Sequence, residues 1–163
     1  MGWKAGIAAA LCCVSWAAHA QTPAEPPAVD WRLEVVRDGS VVDVFDGSTA
    51  LGQAQTATHH HETVHRVGCA ENPVAKIDLA RTLTISPQAA DTAGVTFAID
   101  AQEILEDDTP QRTREGCPLP PAPRRVSASH PNLVVPGGQW ASWTVVDLHP
   151  TLIYRIRASV ASH

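Results

Sequence analysis

The chain reads as an all-β protein, a single small antiparallel sandwich or partly open barrel of about seven or eight short strands held by one disulfide. Three observations predict it. Apolar residues alternate with polar ones at period two in several separate stretches, turn-forming Gly, Pro and Asp recur between those stretches, and no long segment carries apolar residues at helical spacing.

Residues 1–20, MGWKAGIAAALCCVSWAAHA, have one early Lys, an apolar run, and Ala18-His19-Ala20 fitting the small-x-small pattern of a cleavage site. This is the pattern of a secretory signal peptide. A membrane anchor needs roughly 20 consecutive apolar residues, and this run is shorter. Cys12 follows Leu11 rather than the small residue that precedes a lipidated cysteine. Residues 21–30, QTPAEPPAVD, are rich in proline and predict a flexible leader, so that one β domain spans 31–163. The expected location is therefore periplasmic or secreted, in or near the cell envelope, with no transmembrane helix in the mature chain.

Trp31, Leu33 and Val35 alternate with Arg32 and Glu34 in a first strand, and Val41 to Phe45 supply a second. Asp38-Gly39 between two β-branched runs is a strong hairpin signal, because Gly accepts positive φ at low cost. Residues 48–68 are harder to read. Thr56, Thr58, Thr63, Val64 and Val67 favour an extended segment, while Gln53 to Ala57 could make a helical turn. Cys69 follows, and Glu71-Asn72-Pro73 interrupts the chain. The stretch from Lys76 to Leu105 is a hairpin with Ile77, Leu79, Leu83 and Ile85 in one arm and Val95, Phe97 and Ile99 in the other. Ser86 to Gly94, with its Pro, Asp and Gly, is the expected reversal. Asp100, Glu103, Glu106, Asp107 and Asp108 then offer candidate paired carboxylates, but their clustering at a strand end is read as a solvated edge. A Pro-rich loop over 109–124 follows, since no regular element fits so many prolines. Three strands close the chain: Arg125 to Val135, Gln139 to Leu148, and Leu152 to Val160.

Composition removes some function classes. The formal net charge is −5 with His neutral, and loss of Lys4 with the signal makes the mature chain one unit more negative, so a basic nucleic-acid surface is disfavoured. GxSxG, the P-loop and the Rossmann glycine pattern are all missing. Cys12 and Cys13 lie in the signal, leaving Cys69 and Cys117 as the mature pair. In an oxidising compartment these form a disulfide, which ties the Pro-rich loop to the Cys69 region and closes a loop of roughly 50 residues worth on the order of 4 kcal/mol. No free thiol is left to act as a nucleophile.

His59-His60-His61-Glu62-Thr63-Val64-His65 contains HExxH at 61–65, with Gly68 and Glu71 where the longer metzincin pattern places a glycine and a third ligand. On a helix, His61 and His65 would hold zinc and Glu62 would activate its water. The Thr-rich context argues for a strand, the only methionine is Met1, and the match is read as coincidental. In a strand, His59, His61 and His65 share one face as candidate metal ligands, zinc being the ion they would take; otherwise no cofactor is expected. The ordinary alternative is a solvated histidine patch. Trp140 and Trp143, three apart in QWASWTVV, fall on opposite faces of a strand, so that at least one is a candidate contact for a partner or a membrane interface, the alternative being half-buried core.

Leu83-Thr84-Ile85-Ser86-Pro87-Gln88, Val95 to Glu103, Arg125-Val126 and Leu133-Val134-Val135-Pro136-Gly137-Gly138-Gln139 together resemble the C-terminal domain of secretins. These are the outer-membrane ring proteins of type II and III secretion and type IV pilus systems. The resemblance implies a small secretin-like β domain. The chain lacks the ring domains that precede that domain, and its cysteine pair and histidine cluster are foreign to the pattern. The functional expectation is a non-enzymatic exported β module that binds a protein partner in the periplasm or cell envelope and self-associates into a homo-oligomer, as an accessory of a secretion or pilus system. The alternative is a metal-binding protein built on His59 to His65, with a zinc hydrolase as its outer limit.

Overall fold

The computed structural model describes residues 26–70, 73–107 and 109–161. The expected signal, the first half of the leader, Glu71, Asn72, Asp108 and residues 162–163 lie outside them. Eight strands and no helix make up the described chain: β1 (Ala28–Arg37), β2 (Ser40–Ala50), β3 (Gln55–Arg66), β4 (Val74–Asp91), β5 (Gly94–Glu106), β6 (Pro123–Val135), β7 (Trp140–Val146) and β8 (Leu152–Val160).

They form two four-stranded antiparallel sheets in the orders β2-β1-β8-β7 and β3-β4-β5-β6. The second sheet is a meander. The first joins the β1-β2 hairpin to the β7-β8 hairpin through β1 and β8, which bond Val29 to Val160 and Leu33 to Ile156. Two short connections, Leu51 to Ala54 and Pro136 to Gln139, carry the chain between sheets. The sheets do not close into a barrel, so β2, β3, β6 and β7 are edges.

Alternation makes the core. Leu33, Val35, Phe45, Leu83, Ile85, Phe97, Ile99, Val135, Leu152, Tyr154 and Ile156 are all buried between the two sheets. At about 1.5–3 kcal/mol for each large apolar side chain buried, this layer is the main source of stability. Trp31 Nε1–H donates to Thr49 at 2.9 Å and the Thr49 hydroxyl to Gln55 at 2.8 Å, which ties β1, β2 and β3 together where the first connection crosses.

The Asp38-Gly39 turn has the positive φ values, 48° and 84°, that the tight hairpin requires. Other boundaries differ from the sequence reading. The leader does not reach Asp30: β1 starts at Ala28, because Val29 pairs with both Thr49 and Val160 and is fully buried. Residues 55–66, by contrast, are strand throughout, as the extended reading of this segment expects, and the alternative helical turn does not form.

The reversal expected over Ser86 to Gly94 is also corrected. β4 runs on through Pro87 to Asp91, and only Thr92 and Ala93 turn. Pro87 is tolerated because the β4-β5 register shifts between Pro87 and Ala89, a bulge at which a missing N–H costs no regular ladder bond. Its carbonyl accepts from Gly52 N at 2.7 Å. Gly94, at φ 137°, lies so close to the Val135 carbonyl oxygen that any Cβ would overlap it. The Pro-rich loop ends at Ala122, short of the expected 124, Pro123 serving as the first residue of β6. Cys69 and Cys117 stand at disulfide distance, with Cα atoms 5.2 Å apart, and join this loop to the end of β3.

Candidate functional site

β3 alternates strictly. Its even-numbered residues face outward and pair across to β4: Thr56 and Thr58 meet Thr84 and Thr82 at 2.8 and 2.9 Å, His60 meets Asp78 at 2.7 Å, and Lys76 donates to Glu62 at 2.8 Å. Its odd-numbered residues face the other sheet, with Ala57 packed on the core. His59, His61, Thr63 and His65 continue that face past the apolar layer, into a cleft of 710 Å³ between β3 and the end of the first sheet.

The cleft's inner wall follows from register. His59 stands opposite Arg81 on β4, and Arg81 stands opposite Glu103 on β5. The adjacent row, Ala57, Leu83 and Ala101, is apolar, so one polar row caps the end of the core. Glu103 is 1% exposed, which corrects its reading as part of a solvated strand end. Arg81 bridges two carboxyl groups: its Nε donates to Glu103 at 2.6 Å, and its Nη1 donates across the sandwich to Asp43 of β2 at 2.7 Å. The Tyr154 hydroxyl, from β8, donates to the same Glu103 oxygen.

Charge follows the contacts. Burial opposes ionisation of Asp43, but hydrogen bonds from His59, Arg81 and the Val44 N–H outweigh it and hold the carboxyl below its ordinary range. Burial likewise opposes the charge on Arg81, and Glu103 and Asp43 restore it. Burial, and then the negative charge of Glu103, pushes the Tyr154 phenol far up. The row is a satisfied ionic network in a mostly dry place, in which removing one member leaves its partner buried and uncompensated.

Histidines line the open side. His59 Nδ1 lies 2.9 Å from Asp43 Oδ1, and its ring stacks on Phe45 with centroids 4.0 Å apart and planes 11° from parallel. At the far end, Glu106 meets His65 Nε2 at 2.6 Å and accepts from the Thr63 hydroxyl. Glu106 is held below its ordinary range in spite of burial by these two groups and by the charge of Arg37. His61, between the two carboxylate-bound histidines, has no hydrogen-bonding or ionic partner among the described residues.

The structure thus puts His59, His61 and His65 on one face, as the strand reading requires, with Glu62 on the other. His61 and His65 are about 13 Å apart along the strand, so the HExxH geometry does not arise. Glu71, its expected third ligand, is outside the described residues. Among the described residues, no three His, Cys, Asp or Glu side chains converge as a metal-binding group. Trp140 and Trp143 do not join the cleft. Trp140 lies on the outer face of the first sheet, 39% exposed, with the Arg155 and Arg157 guanidinium groups each 5.2 Å from its ring centre. Trp143 turns inward and meets Tyr154 and His130 edge-on.

The sequence reading missed Asp43, Arg81 and Tyr154 as parts of this site. One signal was present: Arg81 breaks the apolar phase Ile77, Leu79, Leu83, Ile85, and Glu103 breaks the phase Val95, Phe97, Ile99, Ala101, Leu105. Opposite charges intruding on the buried phase of neighbouring strands mark a paired polar layer. No protein-family model, no curated protein and no solved structure matches the chain, and the site stands on its own geometry.

Proposed function

We propose that the protein is a non-enzymatic exported module that binds a partner protein in the cell envelope by adding a strand of that partner to the free edge of β3. One observation carries this reading. Of the four edge strands, β3 alone has neither a proline nor a register irregularity: its 12 residues pair one for one with β4 from Gln55-Ile85 to Arg66-Val74. β2 is bulged opposite Val35 and Val36, β6 carries Pro131 and a register shift, and β7 is 7 residues long with a shift of its own. Bulges, prolines and short length are among the devices that blunt edges, and β3 has none of these three. An edge of this kind offers main-chain hydrogen bonds for affinity, and the neighbouring cleft receives alternate side chains for specificity. The inward histidines make the edge polar, which disfavours indiscriminate sheet growth.

Export is supported by the signal pattern of residues 1–20 and by the Cys69–Cys117 pair, which suits an oxidising compartment. The secretin resemblance extends the proposal to an accessory of a secretion or pilus assembly and to self-association; the matched residues fall in β4, β5, β6 and the Gly137-Gly138 turn. A photo-crosslinking residue at Thr58, in cells that export the protein, tests the reading against the same residue at Thr144 of β7. A discrete adduct from Thr58 and none from Thr144 is expected. Consecutive β3 residues aim their N–H groups alternately at β4 and outward, so one of Thr63→Pro and Val64→Pro removes an outward donor and should abolish the adduct while leaving the fold intact. Adducts from Thr144 alone, or from neither position, refute strand addition.

A further inference from the structure

We propose that His59 and His61 form a two-imidazole site for a divalent transition metal of the zinc and copper class, with Asp43 as the residue that positions His59. The site uses side chains on the inner face of β3 and does not depend on strand addition at its backbone edge.

The argument starts from protons. Asp43 Oδ2 accepts from Arg81 Nη1 at 2.7 Å and Asp43 Oδ1 from the Val44 N–H at 2.8 Å, so both carboxylate oxygens are placed as acceptors. The short contact to His59 Nδ1 therefore requires the proton on Nδ1, and in the neutral ring Nε2 carries the free lone pair. Stacking on the buried Phe45 holds the ring plane. A histidine oriented by a carboxylate on one nitrogen and open on the other is the arrangement that metal-binding histidines adopt, since the carboxylate fixes the tautomer and raises the basicity of the ligand.

His61 supplies the second donor. Positions two apart on a strand share a face roughly 6.7 Å apart, within reach of two imidazoles converging on one ion. His61 is exposed, lines the same cleft and has no competing partner among the described residues. His65 is not a ligand here: its Nε2 is taken by Glu106 and it lies about 13 Å from His61. His60 points to the outer face, bonded to Asp78. Two neutral imidazoles suit zinc and copper, and the cleft leaves the remaining coordination positions to water or to a donor from a bound molecule.

The test is calorimetric titration of untagged protein with zinc chloride, with circular dichroism to check each variant's fold. One zinc per chain is expected. His61→Ala, which removes no hydrogen bond or ion pair among the described residues, should weaken binding at least tenfold. His59→Ala should do the same, and Asp43→Asn should weaken it by about 10–100-fold while leaving both ligands in place. His60→Ala and Glu62→Gln should leave the affinity unchanged. Absence of zinc binding, binding indifferent to His61→Ala and His59→Ala, or equal losses in His60→Ala would overturn the proposal.

Discussion

Arg81 and Glu103 stand directly opposite each other on β4 and β5, both on the core side, and their side chains meet at 2.6 Å. Ordinary strands put aliphatic pairs at such positions. Here the pair is tolerable because Asp43 and Tyr154, from the facing sheet, satisfy what the two leave over. The network fastens the two sheets through side chains, from β4 and β5 of one to β2 and β8 of the other.

Arg81→Met should therefore be strongly destabilising, by about 3–5 kcal/mol, because it leaves Glu103 buried without its counter-charge. Adding Glu103→Leu to that variant should cost much less than the second substitution costs alone, the coupling reaching about 0.5–3 kcal/mol. Urea unfolding of the two single variants and the double variant measures it. Additive losses would show that the pair is not a unit.

Acid should weaken the fold in a defined window. Burial opposes ionisation of Glu34, but the Arg155 and Arg32 guanidinium groups outweigh it and lower its pKa; Thr63 and His65 do the same for Glu106. A folded pKa below the ordinary value of 4.5 contributes stability above that pH, and the contribution is lost as the pH falls through the folded value. The melting temperature should thus hold to about pH 5 and fall below it, and Glu34→Gln should flatten the fall. A melting temperature that rises on acidification would contradict the assignment.

Thiol titration of the unfolded, unreduced mature protein should find neither Cys69 nor Cys117 free. Their separation in sequence is 48 residues. Cys117→Ser, by releasing that loop in the unfolded chain, should lower stability by about 2–4 kcal/mol. Two reactive thiols in the titration would remove the cross-link.

Gly94→Ala should cost more than a turn substitution usually does, about 1–3 kcal/mol, since the residue sits at φ 137° and any Cβ would run into the Val135 carbonyl. Gly39, at φ 84° with open space around it, is the comparison. Equal losses at the two sites would show that backbone strain alone, rather than the approach of β6, matters at Gly94.

HExxH at 61–65 should have no catalytic consequence. Glu62 faces away from the cleft and is bound by Lys76, so Glu62→Gln should change only that exposed, solvent-screened pair and leave stability essentially unchanged. A zinc-dependent peptidase activity abolished by Glu62→Gln would reverse this reading.

What the sequence determined by itself was whatever repeats along the chain. The period-two phases of Trp31 to Val35, Val95 to Ile99 and Leu152 to Ile156 specify strands with one buried face, Asp38-Gly39 specifies its turn, and His59, His61 and His65 share a side because strand geometry is local. Tertiary structure decided everything that depends on register. Pro87 reads locally as a turn, yet pairing with Phe97 carries β4 past it through a bulge. Glu103 reads as one of a run of solvated carboxylates until Arg81 is placed opposite and Tyr154, 51 residues away, above it. Asp43 reads as an ordinary strand residue until the crossing of the sheets sets it beside His59 and Arg81. The physical reason is the same each time. A side chain's face is set by its own backbone, whereas its partner is set by how distant strands align, and a shift of one residue would exchange every partner on the sheet.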